Sequence, residues 1–191
     1  MHEEHGSRRR AIYRRAAFNC RSRRLAFDEQ PLPFPDARMN YRIVPVSDHP
    51  GMAPAVAEWL LDAFRHDLSP SHDEQVAKLL GQKAPEETFV LFDDDVPIGS
   101  ASLVTNDLPS RPDLTPWLAS ILVRPQFRGK GYSTLLVKHV EAAATAAAGK
   151  VLWLYTWAAE PLYARLGWQR FGLERDFDRD IEVVLMKRDL P

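Results

Sequence analysis

The chain has 191 residues, a length that suits one domain with a sizeable hydrophobic core. Hydrophobic residues make up 45% of it and charged residues 27%, which is the composition of a soluble globular protein. No apolar run approaches the roughly 20 residues of a membrane span, and no signal peptide is evident, so we expect a cytoplasmic protein without membrane contact. The single cysteine, Cys20, excludes an intrachain disulfide and a thiolate zinc site, and no metal-ligand spacing occurs elsewhere.

The charge of the chain is divided unevenly. Residues 1–38 hold nine arginines against five acidic residues, whereas residues 39–191 hold 16 basic and 21 acidic residues. We interpret residues 1–38 as a basic, proline-containing and poorly ordered extension, with a nucleic-acid arm or a transit peptide as alternatives. Residues 39–191 form the predicted domain, whose acidic balance argues against a nucleic-acid partner and is compatible with cationic amine substrates.

Hydrophobic periodicity and turn residues predict alternating strands and helices in chain order. The predicted strands are 41–46, 88–92, 96–105, 118–123, 151–156, 168–173 and 181–187. The predicted helices are 54–64, one beginning after Ser71 and stopping at Gly81, 132–148 and 161–166. Apolar strands on both sides of the long helix 132–148 indicate a parallel crossover, with hairpins before and after it. The fold class is therefore mixed α/β, with a central sheet and helices on its faces.

The loop between strand 118–123 and helix 132–148 has the features of a phosphate site. The start of a helix offers free backbone N–H groups and the positive end of its dipole. Gly129 and Gly131 permit close approach of a ligand, and Arg128 and Lys130 add positive charge. The Walker A pattern fails because Arg124 stands where its first glycine belongs, and the dinucleotide pattern fails because its third glycine is missing.

Two motifs together identify a family. Gln126, Gly129 and Gly131 match the pattern Gln/Arg-x-x-Gly-x-Gly/Ala, and residues 161–168 form a second block that contains Tyr163 and ends in Gly-Trp. Over roughly residues 40–187 the chain resembles the GNAT superfamily of N-acetyltransferases. The resemblance implies a central mixed, mostly antiparallel sheet of about seven strands, with helices on both faces and a parallel strand–helix–strand crossover.

The resemblance also implies acetyl-CoA as co-substrate and no metal. The pantetheine arm would run along the backbone of the strand before the loop, at Ile121, Leu122 and Val123. The pyrophosphate would lie over the loop and the helix start, at Gln126, Phe127, Arg128, Gly129, Lys130, Gly131 and Tyr132. Packing in the core is the alternative role for the strand residues, and the two roles are compatible.

Two residues are candidates for the chemical step. Tyr163 matches the tyrosine that in many family members protonates the departing thiolate. A phenol, with a reference pKa of about 10, keeps its proton at neutral pH and can offer it to a thiolate. Packing against the cofactor is its alternative role. Thr156 is placed by the resemblance near the thioester or the acceptor, with strand-end capping as an equal alternative.

The acceptor side is less clearly marked in the sequence. We assign Arg111, Asp113, Trp117 and Trp157 to acceptor binding, although Arg111 alternatively forms a salt bridge with a neighbour. Many family members have a glutamate as general base at the start of the strand before the loop, and this chain has no carboxylate there. Asp107 and Asp113 are candidate bases, with ordinary loop turns and a water-mediated route as alternatives.

The predicted function is direct transfer of acetyl from acetyl-CoA to a primary amine of a small molecule or peptide. A non-catalytic acyl-CoA-binding regulatory module is the alternative. A nucleic-acid-associated protein that uses the arginine-rich extension is a third hypothesis, which the acidic domain disfavours. The sequence does not name the acceptor, and it leaves a homodimer open.

Overall fold

The computed structural model describes residues 40–191. The extension predicted over residues 1–38 therefore lies outside the described residues, as does Met39. In the described range no helix is long and apolar enough to cross a membrane.

The described residues form seven strands and four α-helices in the predicted order. The strands are β1 (Tyr41–Pro45), β2 (Glu87–Asp93), β3 (Val96–Val104), β4 (Trp117–Val123), β5 (Val151–Thr156), β6 (Gln169–Asp176) and β7 (Ile181–Asp189). The helices are α1 (Ala53–Phe64), α2 (His72–Leu80), α3 (Tyr132–Ala146) and α4 (Glu160–Arg165). Short 3-10 turns cover Pro50–Met52 and Pro125–Phe127.

The strands build one sheet in the order β1-β2-β3-β4-β5-β7-β6. Every neighbouring pair is antiparallel except β4 and β5, which are parallel and joined through α3. The predicted sheet, its crossover and the mixed α/β class are thereby confirmed. The parallel pair stands at the middle of the sheet, where the chain must cross over a helix because parallel strands cannot be joined by a tight turn.

Helices cover both faces of the sheet, as the alternation along β2 shows. Phe89 and Leu91 belong to a core cluster with the apolar side of α3, whereas Val90 and Phe92 belong to a second cluster with α1 and α2. A strand with apolar residues on both faces must be covered on both, which explains the continuous run of buried residues in β2. A third cluster packs the loop after β3 against β4 and β7.

Element ends differ from prediction by a few residues, for local reasons. Helix α3 stops at Ala146, two residues early, because Ala148 has a left-handed φ of 62° and the Gly149 N–H bonds back to the Ala144 carbonyl. Strand β6 continues to Asp176 because it pairs along its length with β7, which its own polar sequence does not indicate. The capping box predicted at Ser71 and Glu74 is confirmed.

Candidate active site

The parallel strands β4 and β5 separate soon after they begin. Their only register pair in the described sheet is Trp117 with Trp153, where the Trp153 N–H donates to the Pro116 carbonyl at 3.0 Å. From Leu118 onward, the edge of β4 that faces β5 has no strand partner among the described residues. The centre of the sheet is therefore split, and a split between parallel strands can admit an extended ligand that pairs with a strand backbone.

A bulge in β4 marks the same place. Ser102 pairs with Ala119 and Ser100 with Leu122, so one residue of β3 faces two residues of β4. Ser120, in the bulge, has a φ of 55°, which is the left-handed region that residues with a side chain rarely adopt. Bulges of this kind redirect a strand next to functional sites. Here the bulge turns β4 at the mouth of the split.

The loop before α3 forms a cradle of backbone N–H groups. Gly129 and Gly131 have φ values of 82° and 83°, and a Cβ atom on Gly129 would meet no atom within 4 Å. The N–H groups of Gly129, Lys130 and Gly131 donate to no acceptor among the described residues. Gly131 caps α3 without a side-chain hydrogen bond, and the first turn of α3 holds no acidic residue. The helix dipole and the open N–H groups therefore favour an anion here.

Two arginines of this loop are engaged with the protein itself. The Arg128 Nε donates to the Val123 carbonyl at 2.9 Å, and the Arg128 N–H donates to Pro125. Arg124 donates to the Pro97 carbonyl at 2.9 Å and stacks over Trp59. Both side chains hold the loop against β3, β4 and α1. A ligand contact through the Arg128 backbone N–H would require its hydrogen bond to the Pro125 carbonyl to break.

The remaining predicted loop residues divide by exposure. Gln126 and Lys130 are exposed, and Phe127 packs partly into the main core. Tyr132 is buried, its hydroxyl donates to Asp93 at 2.5 Å, and burial together with that hydrogen bond raises the pKa of the phenol. Only the backbone of Tyr132 is thus left for a ligand at the start of α3.

Tyr163 stands on α4 with its ring in the main core and its hydroxyl free. The residue is 8% exposed, and its ring meets Trp168 edge-on at 6.0 Å. Its hydroxyl has no hydrogen-bond partner among the described residues, and burial raises the pKa of this phenol to about 12. A neutral phenol without a partner can donate to a ligand, as a general acid must.

Trp168 ties the Tyr163 block to the long helix. Its indole N–H donates to the Glu141 carboxylate on α3 at 2.8 Å, and its backbone N–H donates to the Tyr163 carbonyl at 3.0 Å. Burial raises the pKa of Glu141, and the nearby Arg188 opposes that change. Trp168 thus adds a hydrogen bond to α3 that a phenylalanine at this position could not form.

Thr156 has a structural role at the end of β5. Its Oγ1 accepts hydrogen bonds from the N–H groups of Ala158 and Ala159, at 3.3 and 2.9 Å, just before α4. The capping alternative is therefore observed. The hydroxyl hydrogen is not used by these bonds, so the predicted contact with a thioester or acceptor stays a prediction.

A cavity of about 240 Å³ opens at the bulge of β4. Five parts of the chain line it: α1 and the loop after it, α2, the loop after β3, strands β4 and β5 with the residue that follows β5, and the β6–β7 turn. We call it the acceptor cavity, after the role proposed for it below, and the side chains that matter there are Lys78, Asp107, Ser120, Tyr155, Trp157 and Arg179.

Trp157 lines the acceptor cavity, and its contact with an acceptor stays a prediction. Its ring is 49% exposed, meets Phe64 edge-on at 6.2 Å and stacks with the Arg179 guanidinium at 5.6 Å. Arg179 is held by Asp176, which is 1% exposed and bonds to its Nη1 at 2.6 Å. Periodicity did not single out Arg179 or Tyr155, because a turn arginine and a strand tyrosine carry no motif.

Asp107 faces the same cavity without a hydrogen-bond partner among the described residues. It is partly buried, and burial raises the pKa of its carboxyl to about 7, with Asp176 adding to the rise. Lys78 and Arg179 oppose that rise through their positive charge. A carboxyl that titrates near neutral pH can both take and release a proton under physiological conditions.

Three residues predicted for the acceptor side do not line this cavity. Arg111 forms a bidentate pair with Asp113, at 2.9 and 2.8 Å, and this pairing lowers the pKa of the Asp113 carboxyl. Arg111 also donates to Glu174 at 2.9 Å. Of the two alternatives for Arg111, the structure has the salt bridge. Trp117 is fully buried and donates to the Leu114 carbonyl, so its side chain belongs to the core.

Among residues 40–191, no group of three or more His, Cys, Asp or Glu side chains could hold a metal ion.

The chain was compared with known proteins. A search of curated protein sequences finds no match. Solved structures match the fold at low identity. One is an N-acetyltransferase from Staphylococcus aureus, with 19% identity, 80% of this chain and 99% of that chain covered, and a TM-score of 0.64. A GNAT family acetyltransferase from Elizabethkingia anophelis, with acetyl-CoA bound, has 20% identity, coverages of 79% and 99%, and a TM-score of 0.58.

A third structure is an aminoglycoside 6'-N-acetyltransferase complexed with coenzyme A. It has 14% identity, covers 78% of this chain and 98% of that chain, and gives a TM-score of 0.64. The sequence profile of the acetyltransferase (GNAT) family matches residues 53–168, which span the split, the loop, α3 and the Tyr163 block. The chain belongs to the GNAT acetyltransferase family.

Proposed function

We propose that the protein transfers acetyl from acetyl-CoA directly to a primary amine of a small molecule or peptide. The cradle at Gly129, Lys130 and Gly131 carries this proposal, because three unpaired N–H groups at a helix start suit a pyrophosphate. Cys20 lies far from this loop in the sequence, which supports direct transfer over an acetyl-cysteine intermediate.

The residues of the split suit the rest of the co-substrate. The edge of β4 over Ile121, Leu122 and Val123 has no strand partner on the β5 side and can pair with the amide groups of a pantetheine arm as an added strand would. Pairing at the Val123 carbonyl would require its hydrogen bond from Arg128 Nε to break. The open space at Gly129 leaves room for the phosphates. When bound, acetyl-CoA supplies the activated acyl group.

Tyr163 has the proposed role of general acid. Its raised pKa, to about 12, keeps the phenol protonated throughout the physiological range, and its free hydroxyl can donate to a sulfur atom. Thr156 supports this role from a distance, because it holds the Ala158–Ala159 turn that leads into the helix that carries Tyr163. We therefore assign Thr156 a positioning role.

The acceptor cavity is the proposed amine site, with Trp157 as part of its wall. Arg111, Asp113 and Trp117 are set aside as direct acceptor contacts, because the first two pair with each other and the third is buried. A volume of about 240 Å³ suits a small amine or one terminal group of a larger molecule. A cytoplasmic location and a homodimer stay predictions.

Two measurements on the same preparation test the proposal. Acetyl-CoA binding is measured by calorimetry, and thiol release is measured with acetyl-CoA over aliphatic monoamines, diamines, aminoglycosides and short peptides. We expect saturable binding and acceptor-dependent thiol release, with the product acetylated on nitrogen by mass spectrometry. Reactions without acceptor give the hydrolysis background.

The outcomes separate the candidate functions. Saturable binding without thiol release above background on any amine would favour the regulatory module. Absence of binding would overturn the pyrophosphate assignment and the proposed function together. A product acetylated on oxygen would support acetyl-CoA as the donor and would show that the acceptor is a hydroxyl group and not an amine.

A further inference from the structure

An amine acceptor must lose a proton before its nitrogen can attack. Primary alkylamines are ammonium ions at neutral pH, so the protein needs a group near the acceptor that takes a proton. The start of β4 offers Trp117, Leu118 and Ala119, which have no basic side chain. The base must therefore come from another element that borders the acceptor cavity, or from water.

Asp107 is the group best placed for this step. It lies in the loop after β3 and lines the acceptor cavity together with Ser120 of the β4 bulge and Tyr155 of β5. It forms no hydrogen bond with the described residues, so both of its oxygen atoms can accept one from a ligand. Desolvation of a partly buried carboxylate that lacks a hydrogen-bond partner destabilises the folded state, which points to a ligand that supplies the missing hydrogen bond.

Three other ionisable side chains in or near the cavity are less suited to take the proton. His66 also lines it, but its Nδ1 faces the Leu68 N–H at 3.3 Å, which leaves its hydrogen on Nε2 in the neutral ring. Asp113 does not line the cavity, and Arg111 occupies both of its oxygens. Asp178 lies at the exposed turn between β6 and β7.

The charges that face Asp107 come from three elements. Lys78 of α2 and Arg179 of the β6–β7 turn lower its pKa, and Asp176 at the end of β6 raises it. Tyr155 of β5 is uncharged at neutral pH, because burial raises the pKa of its phenol. Burial has the largest effect on Asp107 and brings its pKa to about 7, close to the pH at which a base is most effective.

We propose that the Asp107 carboxylate is the general base that takes a proton from the acceptor ammonium. This inference rests on the proposed function. One N–H bond of the ammonium breaks and an O–H bond forms on Asp107, which leaves a lone pair on nitrogen. That pair forms the C–N bond, the C–S bond breaks with its electrons on sulfur, and Tyr163 gives its proton to the thiolate. The second N–H proton restores Tyr163 through solvent, and Asp107 releases its proton to bulk water.

The test compares Asp107→Asn with the unchanged protein over pH 5.5 to 9.5, using the panel amine that gives the highest turnover. We expect kcat/KM of the unchanged protein to rise with pH up to about 7 and then level off. In Asp107→Asn this rise towards pH 7 should be absent, and kcat/KM at pH 7.5 should be about 100-fold lower than in the unchanged protein. Its rate should then keep rising towards the pKa of the amine itself, because only the neutral amine remains reactive.

Two variants act as controls. Asp107→Glu keeps a carboxyl group and should recover part of kcat, with a limb near neutral pH. Asp95→Asn removes an exposed carboxylate at the β2–β3 turn and should leave kcat/KM unchanged. Acetyl-CoA affinity and the thermal midpoint, measured for every variant, show whether the donor site and the fold are intact.

Three results would overturn the inference. Asp107→Asn could keep the acid limb near pH 7 with normal kcat, which would exclude Asp107 as the base. It could raise KM at unchanged kcat, which would make Asp107 a binding residue only. If the unchanged protein acetylates no amine, the proposed function fails first and this inference falls with it, whereas the other two results leave the proposed function standing.

Discussion

The two halves of the site are built in different ways. The proposed donor side comprises the loop before α3, the free edge of β4 and the Tyr163 block, and it relies on backbone N–H groups and one phenol. The acceptor cavity instead gathers side chains from α1, α2, the loop after β3 and the β6–β7 turn. A ligand common to a whole family can be bound by backbone geometry, whereas an individual acceptor needs particular side chains.

The two sides also differ in the origin of their charge, which comes from the backbone on the donor side and from side chains in the acceptor cavity. The donor cradle is positive through the helix start and its open N–H groups, and its arginines are bonded to neighbouring carbonyls. The acceptor cavity has charges of both signs, with Asp107 near Lys78, and Arg179 paired with the buried Asp176. A change on one side should therefore leave the other side working, and four variants test this independence.

The largest effect is expected at Gly129 on the donor side. Gly129→Glu should weaken acetyl-CoA binding about 1,000-fold, because like charges forced together cost several kcal/mol. Gly129→Ala is the matched control, since it strains the same left-handed backbone but leaves the space above it open. Calorimetry with acetyl-CoA compares the two. Equal affinities would remove the pyrophosphate from this loop.

Tyr163→Phe should act on catalysis and spare binding. We expect kcat to fall about 100-fold with acetyl-CoA affinity within a few-fold of normal, because the ring stays and only the proton donor is lost. Since the phenol has a pKa of about 12, its loss should not change the shape of the pH profile of kcat near neutral pH. Unchanged turnover across the pH range would exclude the acid role.

Asp176→Ala should damage the acceptor cavity and leave the donor side intact. The substitution removes the partner of Arg179 and two backbone hydrogen bonds in the β6–β7 turn, at an expected cost of about 2 kcal/mol of unfolding free energy. KM for the amine should rise while acetyl-CoA affinity stays the same. Asp189→Ala, which breaks an exposed pair with Lys187, is the control and should change little. A loss of acetyl-CoA affinity would contradict the independence of the two sides.

The smallest effect is expected from Asp107 on stability. Because folding raises its pKa from about 3.9 to about 7, the folded chain binds one more proton than the unfolded chain between these values. Stability should therefore fall as pH rises from 4 to 7, and Asp107→Asn should lack that fall. Urea unfolding at pH 6.3 and 8 should show the variant gaining about 1 kcal/mol relative to the unchanged protein at the higher pH. A constant difference between the two pH values would mean that Asp107 has an ordinary pKa.

Prediction from sequence succeeded where structure is local. Each predicted strand and helix in the described range is present within a few residues, because period, caps and turns act over short stretches of chain. Prediction from the sequence was least informative about the side chains in the loop after β3. Arg111 and Asp113 looked available for an acceptor, but in the structure Arg111 pairs with Asp113 and with Glu174 on β6, 63 residues further along the chain.

Trp117 illustrates the same limit. Its position at the start of β4 predicted an acceptor contact, yet its indole is buried against the loop that precedes it. A tryptophan at a strand end fits either a cavity wall or a core, and only the packing of β7 and the loop decides between them. Trp157, in a similar position after β5, remains half exposed in the acceptor cavity.

The order of elements, the glycine loop before α3 and the family could be predicted from the sequence, because each depends on a contiguous stretch of chain. Where β4 and β5 part, which charges surround Asp107 and which side chains reach the acceptor cavity became clear only from the folded structure. Those features depend on contacts between residues far apart in the chain, and on burial, which changes the chemistry of a carboxyl without changing its sequence neighbours.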